Sequence, residues 1–334
     1  MLKRRLGRTG LTVSVIGFGG IPIQRVAVDD AVRIIQRALE LGVNFIDTAR
    51  VYTDSELKIG LAVKNYKNKC IIASKSRALT KLEMENDIKS SLKDLGVNQI
   101  DIYQLHNVSD FETYNRILQS DGALTALKEA QETGIIKYIG ITSHVPDLLK
   151  KVIPCGLFDT IQFPFNPLET AGVELIKIAR EHDIGTIIMK PLAGGAFYNA
   201  GAALKWVLKH DVSVVIPGMD SVQQVEYNTS LPGVALTDDE LKALKQEIAV
   251  IDKQICRRCE YCQPCPQGIR IPVILLLDAY YQRYGLPGWA RERYKSLVDV
   301  SPENCTECGV CEERCPYKLP IRKLIREAHQ RLSS

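Results

Sequence analysis

Eight of the ten cysteines in this 334-residue sequence fall in two runs, CRRCEYCQPCP from Cys256 and CTECGVCEERCP from Cys305. The first places Cys256, Cys259, Cys262 and Cys265 as Cys-x2-Cys-x2-Cys-x2-Cys-Pro, and the second places Cys305, Cys308, Cys311 and Cys315 as Cys-x2-Cys-x2-Cys-x3-Cys-Pro. Where disulfides are disfavoured, clustered thiols more often bind metal than pair with one another. Four thiols in one tight run suit an iron–sulfur cluster; zinc, the alternative, more often takes two separated Cys-x2-Cys pairs. Cys70 and Cys155 lie outside the runs and read as structural thiols.

A second chemical signal comes from single polar residues at the ends of apolar runs. Asp47 closes VNFID, Tyr52 lies five residues on, Lys75 ends CIIASK and His106 ends IDIYQLH. Taken singly, such an Asp is often a helix cap, such a Lys is usually solvated, and such a His is more often structural than catalytic. Four of them at matching positions of successive runs form a pattern that these readings do not explain.

The elements that must position them follow from periodicity. Eight short runs rich in Val and Ile (VSVIGFG, VNFIDTA, CIIASK, IDIYQLH, IKYIGITS, TIQFPFN, GTIIMKP and VSVVIPG) alternate with segments of 3.6-residue periodicity such as DDAVRIIQRALELG and GVELIKIAREHD. Near-continuous apolar strands between amphipathic helices mean parallel strands covered by helices, and eight such units in about 250 residues fit a closed (β/α)8 TIM barrel. In that fold reactive residues stand at the C-terminal ends of strands, where all four polar residues fall. A doubly wound sheet is the alternative, but GFGG after the first run lacks the G-x-G-x-x-G spacing.

Composition bounds the rest. The chain is 46% hydrophobic and 25% charged, enough for one large core and a smaller module. We expect domains at 1–252 and 253–334, with the helix TDDELKALKQEI leading into the second. The net charge is only +4, carried by the segment from 256 onward, where 13 Lys and Arg face nine Asp and Glu. No basic run calls for nucleic acid. The longest apolar run, IPVILLL, falls far short of the roughly 20 residues of a membrane span. The opening MLKRRLGRTGLTVSVIG carries twin arginines but no small-residue cleavage site, and reads as a β-hairpin turning at GRTG, with Leu11, Val13 and Val15 on one face. A cytoplasmic location is expected by default.

Together NFIDTARVYTDSE, IIASK, IYQLHN and YIGITS resemble the signature segments of the aldo-keto reductases, and RRLGRTGLTVSVIGFGG resembles that family's N-terminal hairpin and first strand. MKPLAGG and the two cysteine runs are similar to the branch with a ferredoxin-like C-terminal extension, here a small helical iron–sulfur domain. The resemblance covers residues 1 to about 230. It implies carbonyl reduction by hydride from NAD(P)H, with Asp47, Tyr52, Lys75 and His106 as the catalytic tetrad.

The chemistry of these residue types agrees. Hydride transfer to a carbonyl builds charge on oxygen, which needs a proton and a stabilising donor. Tyr52 can donate the proton, a neighbouring Lys75 ammonium favours phenolate, Asp47 holds that ammonium, and His106 orients the carbonyl.

By the same resemblance Gln162, Thr142 and Ser143 hold a nicotinamide carboxamide, although the family commonly has Ser then Asn at the last two positions. Met189 stands where many members place an aromatic residue. Pro191, Leu192 and Gly194 belong to the cofactor segment. Gly218, Gln224 and Asn228 fall in the adenosine-phosphate loop, which lacks the Lys and Arg of NADPH-dependent members, so NAD against NADP stays open.

The runs are close to the bacterial two-cluster arrangement, which implies two 4Fe–4S clusters with the fourth cysteine of each run crossing to the other cluster. Hydride carries two electrons and a cluster accepts one. Three activities follow: reduction of a small carbonyl substrate; electron transfer through FMN or another flavin, or a redox substrate, with a redox partner protein; or a non-catalytic nicotinamide-binding sensor.

Overall fold

The computed structural model describes residues 1–66, 70–252, 254–258, 261–283, 286–315 and 317–334. It opens with an antiparallel hairpin of β1 (Lys3–Arg5) and β2 (Thr12–Ser14) around a 3-10 turn at Gly7–Thr9. Eight parallel strands follow among the described residues: β3 (Phe18–Gly19), β4 (Phe45–Asp47), β5 (Ile71–Ser76), β6 (Ile100–Leu105), β7 (Ile136–Thr142), β8 (Thr160–Pro164), β9 (Gly185–Met189) and β10 (Val214–Val215). Each pairs with the next in chain order, without the reversal a doubly wound sheet requires. Parallel bridges from Ile16 to Val215 and from Gly19 to Gly218 join the first strand region to the last and close a (β/α)8 barrel.

Helices return the chain between strands: α1 (Val28–Glu40), α2 (Ser55–Val63), α3 (Lys81–Leu95), α4 (Phe111–Ile117), α5 (Ala123–Glu132), α6 (Pro146–Val152), α7 (Gly172–Glu181), α8 (Ala200–Leu208) and α9 (Val222–Ser230). In α1, Ala31, Ile34, Ile35 and Ala38 follow helical spacing and are the buried face. In α3, Thr80 and Glu83 form a capping box, and Gly96, with φ +62, ends the helix in the left-handed conformation that glycine adopts without penalty.

Side chains of a strand alternate, so residues two apart share a face. At the lower end of the barrel interior Phe45, Ala73, Ile102, Ile187 and Val214 form an apolar layer, and the hairpin inserts Leu6 and Val13 into it. Two residues further along β4, β5 and β6 the same inward face carries Asp47, Lys75 and Gln104. The barrel is thus filled with apolar side chains below and polar ones above.

The chain divides into two compact units, Met1–Ala193 with Gly201–Thr237, and Gly194–Ala200 with Asp238–Ser334. The second contains α10 (Asp238–Ile251), α11 (Ile271–Gln282), α12 (Pro287–Leu297), α13 (Val310–Glu313) and α14 (Ile321–Ser333). By contacts α10 groups here, ahead of the expected boundary at 252; its Glu247 accepts the backbone N–H of Tyr198, drawing the 194–200 segment along. A core of Ile269, Ile274, Leu277, Ile325 and Leu332 includes Cys262, Cys311 and Cys315. Arg331 clamps Asp278 through two bonds of 2.7 and 2.8 Å, tying α14 to α11. No helix among the described residues is long and apolar enough to cross a membrane.

Candidate active site

At the polar end of the barrel, Lys75 donates to both Asp47 carboxylate oxygens at 2.6 and 2.7 Å and to the Thr48 carbonyl at 2.7 Å. These acceptors account for all three ammonium protons. Asp47 also faces the amides of Gln162 (3.3 Å) and Gln104 (3.5 Å). Asp47 and Lys75 are only 3% and 1% exposed. Burial pushes the carboxyl up and the ammonium down, and their mutual attraction offsets both effects.

Tyr52 stands in the loop after β4. The Lys75 ammonium lies 5.0 Å from its ring centroid, and the His106 ring meets it edge-on at 5.8 Å. The four residues that the sequence singled out therefore converge. The loop is held by the Arg50 N–H on the Lys75 carbonyl (3.0 Å) and by the Arg50 guanidinium on Glu56 and Asp94. Glu56 is itself buried and accepts from Ser74. Desolvation, with the Lys75 and Arg77 charges, holds the His106 imidazole well below its usual range. A neutral ring can donate one N–H to a substrate oxygen. His106 also borders a cleft of about 160 Å³ lined by Arg77, Leu79, Asn107, Thr113 and Ile117.

The expected cofactor residues divide. Gln162 is buried, and its side-chain carbonyl has no hydrogen-bond partner among the described residues, so it can accept from a carboxamide. The Ser143 hydroxyl donates to the Val108 carbonyl (2.6 Å) and accepts the Val145 N–H (3.0 Å), which leaves it one lone pair with which to accept from a carboxamide N–H. Thr142 accepts the Asn107 N–H at 2.7 Å. Met189 is half-buried at the end of β9, followed by buried Pro191 and half-buried Leu192, while Gly194, with φ +69, groups with the second unit. Gly218 is a close approach, since a Cβ there would stand 2.5 Å from Pro22. Gln224 accepts the Asp220 N–H at 2.9 Å, and Asn228 is buried on α9.

Three features escaped the sequence reading. Gln104 shares the inward face of β6 with His106, and period two could have found it. Arg25 pairs with Asp220 at 3.0 Å in the segment between β10 and α9, a contact no local pattern reveals. Lys190, with φ +53, meets His144 Nε2 at 3.2 Å at the ends of β9 and β7.

In the second unit, Cys265, Cys305, Cys308 and Cys311 line one cavity with Ile269 and Arg322. Cys256, Cys262 and Cys315 lie outside that lining, and Cys259 lies outside the described residues. Arg258 and Glu307, each two residues after the first cysteine of its run, both take φ +58, so the two runs share a local turn. The Arg258 N–H points to Cys256 Sγ at 3.4 Å. Cys70 is buried ahead of β5, and Cys155 is exposed.

Residues 15–202 match the Aldo/keto reductase family. The chain belongs to that family. Residues 255–319 match a 4Fe-4S dicluster domain, so this aldo/keto reductase is an oxidoreductase with an iron–sulfur module. It is 28% identical over 296 residues to L-galactose dehydrogenase of Arabidopsis thaliana, covering 73% of this chain and 91% of that one. It is 26% identical over 279 residues to NADH-specific methylglyoxal reductase of Escherichia coli, covering 71% and 85%. An aldo-keto reductase from Bacillus halodurans in its holo form superposes with a TM-score of 0.64 at 25% identity, covering 74% of this chain and 96% of that one.

Proposed function

We propose that the barrel reduces an aldehyde or ketone with hydride from a nicotinamide cofactor, Tyr52 donating the proton. The observation that carries this reading is the Lys75 ammonium, fixed by Asp47 and Thr48 and 5.0 Å from the Tyr52 ring, with His106 on the ring's edge. Nicotinamide, when bound, supplies the hydride. The chain's residues do the rest: the Lys75 charge favours phenolate and so makes the Tyr52 hydroxyl a better acid, neutral His106 directs an N–H at the carbonyl oxygen, and Gln162 offers its unpartnered carbonyl to the carboxamide. The relative named for NADH specificity and the pairing of Arg25 with Asp220 favour NADH over NADPH.

In the C-terminal module, Cys265 joins Cys305, Cys308 and Cys311 on one cluster, and Cys315 joins Cys256, Cys259 and Cys262 on the other. The shared cavity supports this crossing. The test of the barrel reading is Tyr52→Phe, with methylglyoxal as the trial aldehyde. Turnover should fall by about 10²–10⁴-fold, the usual worth of a general acid, while NADH binding followed by fluorescence persists. Unchanged turnover would remove Tyr52 from the role.

A further inference from the structure

Arg257 is a buried cation whose hydrogen-bonding capacity is only partly used. It follows the first ligand of the first run and is 6% exposed. Nη2 meets Asp252, and the guanidinium lies over the Tyr317 ring at 3.9 Å. Nε and Nη1 are buried and have no hydrogen-bond partner among the described residues. Buried donors that leave water are normally satisfied, so these two call for an acceptor that the described residues do not supply. Arg257 adjoins Cys256, and Tyr317 lies two residues beyond Cys315. Both flanks thus belong to the cluster proposed for Cys256, Cys259, Cys262 and Cys315.

We infer that Arg257 sets the reduction potential of that cluster, directing Nε–H and Nη1–H at its sulfur atoms and making it the first of the two to accept an electron. Each reduction adds one electron and one negative charge. Donors to sulfur and a nearby cation stabilise the reduced form and raise the potential. Burial keeps water and salt from screening that charge.

The other cluster lacks this arrangement. Arg322 lines the cavity of Cys265, Cys305, Cys308 and Cys311, and its Nε is unpartnered among the described residues. Its charge, however, is shared by two carboxylates, Glu312 at 2.8 Å and Glu307 at 3.4 Å, where Arg257 pairs with Asp252 alone among the described residues, and its side chain is 32% exposed against 3% for Arg257. The second run and its flank carry Glu303, Glu307, Glu312 and Glu313 against Arg314 alone, whereas the first run carries Arg257 and Arg258 against Glu260 alone. The surroundings therefore favour the electron on the first-run cluster.

The inference rests on the reading of two crossed clusters, and iron content separates the two. The experiment is an anaerobic potentiometric titration of the full chain with dithionite as reductant, followed by electron paramagnetic resonance, on the wild type, Arg257→Met and Arg257→Lys. The wild type should hold eight iron atoms per chain, as two 4Fe–4S clusters require, and show two separate midpoints. Arg257→Met should weaken the upper reduction equilibrium at least tenfold, or 59 mV for one electron, with the lower midpoint and the iron content unchanged. Arg257→Lys, which keeps the charge but loses the planar fork, should fall between. Cys308→Ser should alter the signal of the lower midpoint. Unmoved midpoints in a fully loaded Arg257→Met protein, or a shift confined to the lower one, would overturn the inference. Should Arg257→Met lose iron, a fully loaded Arg257→Lys protein with an unshifted upper midpoint would do the same. A wild type with fewer than eight iron atoms would overturn the two-cluster reading and this inference with it.

Discussion

Every ammonium proton of Lys75 is committed to Asp47 or Thr48, so in the proposed role the lysine would act on Tyr52 by its charge. That charge survives burial only because Asp47 opposes it. Removing one member strands the other: Asp47→Asn or Lys75→Met should each lower stability by about 3–5 kcal/mol, the usual result of breaking a buried ion pair. The double variant should lose less than the sum of the two, since neither charge is then stranded. Urea denaturation of the three variants measures this, and simple additivity would mean the pair is not coupled. His106 gives a pH-dependent counterpart. Burial and the charges of Lys75 and Arg77 hold its folded pKa below the usual value near 6.5. Below that value the unfolded chain binds the extra proton, so the contribution of His106 is present above about pH 6.5 and lost as pH falls. Between about pH 7.5 and 5.5 the wild type should therefore lose more stability than His106→Gln, as urea midpoints will show; equal losses would place the folded pKa near its usual value.

The strands bring Asp47, Lys75, Gln104 and Gln162 together because adjacent strands run in register, with Lys75 beside Gln104, Gln104 beside Gly140 and Thr142 beside Gln162. Gly140 is the element-level constraint, since a Cβ there would stand 2.4 Å from Thr160 Oγ1 and 2.8 Å from Gln104 Cγ. Gly140→Ala should cost about 1–3 kcal/mol through overpacking, and adding Thr160→Ala should restore part of it. Calorimetric melting of both variants tests the contact; no rescue would mean the clash falls on Gln104 alone. The barrel, and the convergence of Asp47, Tyr52, Lys75 and His106, were legible in the sequence because strand and helix periods differ sharply and the four polar residues follow the ends of successive apolar runs. Gln104 was missed although it stands two residues before His106, because a polar residue inside an apolar strand draws notice only when the alternation of faces is followed inward from a known site residue. The bond that orients Ser143 was hidden because a hydroxyl's partner is set by tertiary geometry: the Val108 carbonyl lies 35 residues away in the chain. The Arg25–Asp220 pair, 195 residues apart, was illegible for the same reason.

The apolar core of the C-terminal module includes Cys262, Cys311 and Cys315, so these thiols are packing residues as well as the proposed ligands. A small module of this kind commonly draws folding free energy from its metal sites. With crossed ligands, each cluster would bind the segment 256–265 to the segment 305–315, so losing either cluster would loosen both. With local wiring, each run would close its own site and the two would fail independently. The cavity shared by Cys265 with Cys305, Cys308 and Cys311 favours crossing. Two reciprocal variants decide the matter. Cys315→Ser should perturb the resonance signal of the first-run cluster, and Cys265→Ser that of the second-run cluster. A single-run reference variant, Cys308→Ser, identifies which signal is which. Damage confined in each variant to the cluster of its own run would replace crossing with two locally wired sites, and the cavity would then hold only three ligands of its cluster with Cys265 as a bystander.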